Sequence, residues 1–452
     1  QYYRRTPRPI SRIPNLRPTL KLTTEQQTIL DHTTNSNGLT LLDSVAGSGK
    51  TTMLVTIANN IPHNNGLYLA YNKSIAVEAG RKFPKNTHCM TTHSMAYAAT
   101  VRPLKLKLGT FNYKSIKERI PYEDKCLLVD LIKEFCLSKH TSVTSFSTYY
   151  HLSPVLSTLL QQYLEKMRSA EIECTHDFYL KLFHLLLNDN EVTYDPFDFI
   201  MLDEAGDLNE VTLEIFKLLP SPKKIAVGDK HQNIYAFNHT VNCFSLLESH
   251  GKSLQMTQSF RVSEHIAHSI ENFCRKYLDP TMAFKGIKIS DRTISSRAYI
   301  TRTNSALVKK MIQLNDTGTP YGLVRKAKEI FKLPLMLCGL KYQGFITDPA
   351  YKHLQEDVNH WHEHTEIHEQ FKSALSYIGS LYSDDIQLSQ AIKLLAFAGK
   401  KTILETYEEA RKHEKVDQNY MLATAHSCKG LEYDEVTIAD DLNESICDIA
   451  LA

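Results

Sequence analysis

The sequence predicts an α/β protein with two cores, each a parallel sheet with helical crossovers and each interrupted by a mainly helical insertion. Three observations carry this. The apolar run Leu39-Thr40-Leu41-Leu42 leads into a small-residue loop, Ser44-Val45-Ala46-Gly47-Ser48-Gly49, and then into a helix-like pattern from Lys50 to Ala58. Strand and helix patterns alternate across residues 22–96 and return at 197–203, 224–229, 298–303, 420–425 and 435–439. Between them, residues 97–195 and 323–415 have helical spacing without strand alternation.

In chain order, residues 1–20 form a basic arm rich in Arg and Pro, either a disordered terminus or a phosphate-contacting segment. Residues 21–96 and 196–250 make the first α/β domain, with 97–195 inserted in it. Residues 251–322 and 416–452 make the second, its C-terminal part reading as incomplete, with 323–415 inserted. At 452 residues the chain exceeds one ordinary core. Its 42% hydrophobic and 23% charged content is ordinary for a globular protein, and a net charge of +2 confines any polyanion-binding surface to a local patch. No stretch approaches 18 consecutive apolar residues, so no membrane contact is expected. Nine scattered cysteines without a C-x-x-C pair, and an N-terminus without an apolar signal core, point to an intracellular protein, cytoplasmic or in a host cytoplasm, nuclear if eukaryotic.

The loop from Ser44 to Thr52 has the residues a phosphate-binding turn needs. Gly47 and Gly49 let successive N–H groups face an anion, and the following helix adds its positive dipole end. Ala46, Gly47, Ser48, Gly49, Lys50, Thr51 and Thr52 are the expected nucleotide contacts. Lys50 would reach the β- and γ-phosphates and Thr51 would hold Mg²⁺. Ser44 stands where the general pattern has its first glycine. The strand Phe197-Asp198-Phe199-Ile200-Met201-Leu202 delivers Asp203 and Glu204 to its carboxyl end. Asp203 would ligate Mg²⁺, and Glu204 would orient and deprotonate an attacking water.

Further segments fall in one order. Gly228-Asp229-Lys230-His231-Gln232-Asn233-Ile234-Tyr235-Ala236-Phe237 is similar to motif III of superfamily 1 helicases. Leu22-Thr23-Thr24-Glu25-Gln26-Gln27 resembles the Q motif, Tyr71-Asn72-Lys73 motif Ia and Thr91-Thr92-His93-Ser94 motif Ib. Thr257-Gln258-Ser259-Phe260-Arg261 resembles motif IV, and the stretch Thr424-Ala425-His426-Ser427-Cys428-Lys429-Gly430-Leu431-Glu432-Tyr433-Asp434 resembles motif V. The chain therefore resembles a UvrD/Rep-type superfamily 1A DNA helicase. Thr175-His176-Asp177-Phe178-Tyr179-Leu180-Lys181-Leu182 brings it closest to the helicase core of the F-box DNA helicases. No F-box is recognisable, so ubiquitin-ligase work is not implied, and a viral or bacterial relative with the bare motor fits.

The resemblance implies two RecA-like P-loop domains with ATP and Mg²⁺ between them. Single-stranded DNA, or a tailed or forked duplex, would be driven 3′→5′ by ATP hydrolysis. It implies that Gln26 reads the adenine, Phe260 stacks on it, Glu432 contacts the nucleotide and Arg261 is an arginine finger reaching in from the second α/β domain. Gln232 would couple the γ-phosphate to DNA. Tyr235 and Phe237 would stack on unpaired bases. Tyr71, Asn72, Thr92, His93, Asn304 and His426 would contact the strand.

Some features depart from the pattern. Thr52 stands where many relatives have an arginine, and Gly206 replaces the usual glutamine of D-E-x-Q. Motif VI is missing before Ala452, through truncation or loss. That absence keeps open a second reading: an ATP-binding remodeller or recruitment factor on DNA, with weakened catalysis. The His-rich stretch 360–368 reads as a solvated helix rather than a zinc site. Arg102, Lys105 and Lys107 line either a nucleic-acid path or a solvated loop.

Overall fold

Strands buried on both faces read as continuous apolar runs, and two inner strands of the first sheet, residues 66–70 and 199–202, are such runs. A computed structural model describes residues 22–206, 208–231, 240–241, 243–288, 294–343, 351–364, 366–367, 371–382, 385–414, 418–429 and 431–442. The chain divides into two compact units, residues 1–275 with 281–288, and residues 276–280 with 289–452.

In the first unit, the main strands are β1 (Gly38–Ser44), β2 (Gly66–Ala70), β3 (Thr87–Thr91) and β4 (Phe199–Leu202). After β5 (Leu208–Asn209) come β6 (Lys223–Gly228), β7 (Thr240–Val241) and β8 (Lys252–Met256). A six-stranded sheet has the order β3-β2-β4-β6-β1-β8 with every neighbouring pair parallel, while β5 and β7 form a short antiparallel ladder. β2 and β4 are buried at every position. Side chains alternate between the faces. Leu41, Leu67, Leu69, Ile200 and Leu202 join the core of the helical insertion, with Phe135, Phe146, Tyr163 and Phe183. Leu42, Tyr68, Phe199 and Met201 pack on Met53, Leu54 and Ile57 of helix Lys50–Asn60. The insertion's main helices are Tyr122–Leu137, Val143–Tyr149, Pro154–Arg168 and His176–Asn188.

The unit continues past residue 251, where the sequence reading opens a second domain. β8 pairs with β1 from Thr40↔Lys252 to Ser44↔Met256, which closes the first sheet. Next, β9 (Gln258–Ser263) and β10 (Lys285–Ile287) pair in parallel beside the loop after β1. Glu25 ties this segment down, accepting from the Thr257 N–H at 2.8 Å and its hydroxyl at 2.5 Å.

The second unit holds β11 (Arg297–Thr301), β12 (Gly322–Leu323), β13 (Tyr420–Thr424) and β14 (Glu435–Ile438), all parallel, in the order β12-β13-β11-β14. Helix Asn304–Thr317, capped by the Thr303 side chain, follows β11. Helices Lys332–Gln343, Lys352–Glu363, Ala374–Leu381 and Ile386–Lys412 fill the second insertion; the last breaks at Gly399, whose φ is 73°. Leu307, Val308, Met311, Phe331, Leu337, Ile378, Leu395 and Leu422 form this unit's own core. The expected architecture of two parallel α/β units, each with a helical insertion, is the one observed.

Candidate functional site

β1 ends at the buried Ser44, and the chain turns over Gly47 and Gly49, with φ of 74° and 81°, into helix Lys50–Asn60. Only glycine adopts such angles without steric cost. At Gly47 space is also closed: an added Cβ would lie 2.4 Å from the Arg261 Cβ and 2.7 Å from the Ser259 Oγ. The loop is pinned from both sides. Val45 N–H donates to the Met256 carbonyl at 3.1 Å, and Phe260 N–H donates to the Gly47 carbonyl at 2.8 Å. Gln26, buried at the start of helix Thr24–Asn35, closes a capping box with Thr23 and reaches the Ser48 carbonyl through its amide at 3.5 Å. Thus Gln26, Phe260 and Arg261 all meet the loop within the first unit; Arg261 belongs to this unit and not to the second, because the strand that carries it packs beside the loop after β1.

Opposite Lys50 stands the acidic end of β4. Lys50 Nζ lies 3.7 Å from the Glu204 carboxylate. Asp203 is buried, accepts from the Tyr68 hydroxyl at 2.5 Å and accepts at its other oxygen from the Glu204 N–H at 2.9 Å. Burial, together with the adjacent Glu204 carboxylate, pushes the Asp203 carboxyl above the usual range. Burial and the Asp203 charge push the Tyr68 phenol upward too, so it remains a donor. Glu204 has φ 53°, a left-handed conformation that side chains other than glycine rarely adopt. Such strain collects at functional sites because the surrounding structure over-determines it.

The residues suit a nucleotide triphosphate with a divalent cation. The Ser48 hydroxyl is buried without a hydrogen-bond partner, at the centre of a loop shaped for an anion. A cation beside Asp203 would relieve the cost of burying its charge. Lys50, Thr51 and the loop's backbone would hold the phosphates, and Asp203 and Thr51 the metal. Gly206, where the resemblance would place a glutamine, has a physical reason: an added Cβ would lie 2.6 Å from the Asp229 carbonyl oxygen.

The expected strand contacts divide between the units. In the first, Tyr71, Thr92, His93 and Asp203 line one cavity of about 560 Å³ with Lys133 and Asp177. Tyr71 is 48% exposed, Asn72 is exposed while capping helix Lys73–Lys82, and Thr92 is buried. His93 packs edge-on against Tyr179 at 5.9 Å, and burial holds its pKa low. Asn304 and His426 lie in the second unit, beyond the carboxyl ends of the adjacent strands β11 and β13. Glu432 is exposed in that same unit, ahead of β14. Gln232, Tyr235 and Phe237 lie outside the described residues.

Sequence reasoning passes over Tyr68, Ser259, Glu25 and Asp441. A tyrosine within the buried run of β2 needs a partner for its hydroxyl, which is a readable signal, but the partner, Asp203, lies just past the end of β4. Asp441 accepts from the Arg302 and Thr303 N–H groups at 3.1 and 3.0 Å, fixing the start of the helix that carries Asn304.

A parallel α/β unit with this loop, this lysine and this acidic strand end has the arrangement of a P-loop fold. The UvrD/REP helicase N-terminal domain family matches residues 107–249. "F-box DNA helicase 1" of Gallus gallus is 26% identical over 482 aligned residues, covering 95% of this chain and 45% of that protein. "F-box DNA helicase protein 1" of Schizosaccharomyces pombe is 25% identical, covering 93% of this chain and 53% of that protein. The "Probable DNA helicase II homolog" of Mycoplasma genitalium is 30% identical over 95 residues, 20% of this chain and 14% of that protein. Together these matches support a likeness to the UvrD-like superfamily 1 helicases. The chain spans about half the length of the F-box relatives. Among the described residues, no helix is long and apolar enough to cross a membrane.

Proposed function

We propose that this chain is an ATP-driven DNA helicase or translocase that moves 3′→5′ on single-stranded DNA. The observation that carries the nucleotide half is the pairing of Lys50 with Glu204 beside the buried Asp203, at the mouth of a glycine loop whose Ser48 hydroxyl lacks a partner. Lys50 binds the phosphates, Glu204 holds and deprotonates the attacking water, and Arg261 offsets charge on the transferring group. Bound Mg²⁺ supplies charge neutralisation at the phosphate oxygens. Gln26 and Phe260 take the adenine, and Glu432 retains the nucleotide contact that the resemblance implies. Tyr71, Asn72, Thr92, His93, Asn304 and His426 take the strand, and the cavity shared by Tyr71, His93 and Asp203 links strand to hydrolysis. Gln232, Tyr235 and Phe237 retain the roles that the resemblance implies.

The test is ATP hydrolysis with and without single-stranded DNA. Lys50→Ala should lose nucleotide affinity. Glu204→Gln should keep binding and lose about 10²- to 10⁴-fold in turnover, the usual loss with a general base. Wild-type turnover in the Gln variant would remove Glu204 from the chemistry. Unwinding of a 5′-tailed duplex in preference to a 3′-tailed one would reverse the direction.

A further inference from the structure

We propose that the second unit carries an additional binding surface for single-stranded nucleic acid, a basic cleft between helices Asn304–Thr317 and Ile386–Lys412 beside the end of β14. The proposal rests on the DNA reading above and adds a site that none of the motifs contains. The cleft has a volume of about 450 Å³ and is lined by Tyr299, Lys309, Lys310, Lys393 and Phe397. That volume lies within the usual range of ligand-binding clefts, roughly 300–1,000 Å³.

Its chemistry is specific in two ways. Lys309, Lys310 and Lys393 bring three ammonium groups to one concave surface from two different helices. Each of the two rings already sits with a lysine: Lys310 Nζ is 4.7 Å from the Tyr299 ring centre, and Lys309 Nζ is 5.2 Å from that of Phe397. Phe397 is 67% exposed, so a wide apolar face is offered to solvent among cations. Gln390, Lys393, Leu394 and Phe397 follow helical spacing and share one face, which the break at Gly399 ends two residues later.

Asp440 and Asp441 also line the cleft. The Asp441 carboxylate is engaged by the N–H groups of Arg302 and Thr303 and by the Thr303 hydroxyl. The lysines therefore face a single carboxylate that is not committed to the backbone in this way. Phosphates match the ammonium groups, and bases match the exposed ring, since every base offers a π-face. An acidic protein segment would satisfy the lysines and leave Phe397 unused. The cleft is also continuous with an expected strand contact, because Ser305 and Ala306 on its wall directly follow Asn304.

The experiment titrates fluorescent oligodeoxythymidine against the full chain at several salt concentrations. Phe397→Leu should weaken binding about 5- to 150-fold, the equivalent of one lost stacked base. Phe397→Trp should retain affinity, and its fluorescence should quench as the oligonucleotide binds. The double variant Lys309→Ala/Lys393→Ala should lower the salt slope by about 1.4, or 0.7 for each phosphate contact on a single strand. Unchanged binding in the Leu and double variants, with affinity lost in Tyr71→Ala, would overturn the cleft and leave the motor reading standing. Failure of the parent chain to bind the oligonucleotide at low salt would overturn both. Quenching of the Phe397→Trp variant by polyglutamate but not by oligothymidine would overturn the proposal in favour of an acidic protein partner.

Discussion

Gly47 has the least room to change. Its φ of 74° costs any L side chain about 1–2 kcal/mol, and a Cβ there would meet the Arg261 Cβ at 2.4 Å. Gly38 has a φ of 98° with nothing within 4 Å of an added Cβ. The two positions share backbone strain and differ in crowding. Gly47→Ala should therefore lose nucleotide affinity and stability together, whereas Gly38→Ala should lose stability alone. Thermal melts with parallel nucleotide titrations check this. Equal nucleotide affinity in the two variants would show that the packing of Arg261 and Ser259 on the loop is irrelevant to binding. This part of the site was legible in the sequence because it is local: loop, lysine and hydroxyls are consecutive, and Asp203 and Glu204 are adjacent. The contacts that arm it were not. Ser259 reaches Gly47, and Tyr68 reaches Asp203, through folding that no local pattern encodes.

Individual strands show the same division. β2 and β4 announce themselves, since only a strand covered on both faces is apolar at every position. β8 does not, because its burial is partial and its partner β1 lies some two hundred residues earlier, so the first unit extends past residue 251. β14 is exposed at all four positions and depends on its anchor. Asp434, just before it, accepts hydrogen bonds from the N–H and hydroxyl groups of both Ser295 and Ser296, at 2.8–3.0 Å. The Ser295 and Ser296 hydrogen bonds hold its carboxyl down to about 2. A folded-state pKa below the unfolded one stabilises above the unfolded value and is lost as pH falls through the folded value. Asp434→Asn should accordingly destabilise the second unit at neutral pH, and the gap to wild type should close as pH falls from about 4 towards 2. Urea melts at pH 6, 4 and 3 measure it. A gap constant across that window would mean that the carboxylate's charge plays no part in holding β14.

On the scale of the whole molecule, two compact units with separate cores should unfold as separate transitions. The sequence supplies the reporter: its one tryptophan, Trp361, lies in the second unit, its indole N–H donating to the Phe371 carbonyl at 3.1 Å. Tryptophan fluorescence thus follows the second unit alone, while far-ultraviolet circular dichroism follows both. A ligand that binds the folded state raises stability by about 2.7 kcal/mol at a hundredfold excess over its Kd. For a unit of this size that is a shift of roughly 5–10 °C. Lys50, Thr51, Asp203, Gln26, Phe260 and Arg261 all belong to the first unit, and only Glu432 of the expected nucleotide contacts belongs to the second. A non-hydrolysable ATP analogue with Mg²⁺ should therefore move the dichroism transition of the first unit by that amount and the Trp361 transition by much less. Glu432→Ala should abolish the smaller shift and preserve the larger. Equal shifts in both signals would show that the units melt as one body, and a shift confined to Trp361 would remove the nucleotide from the loop after β1.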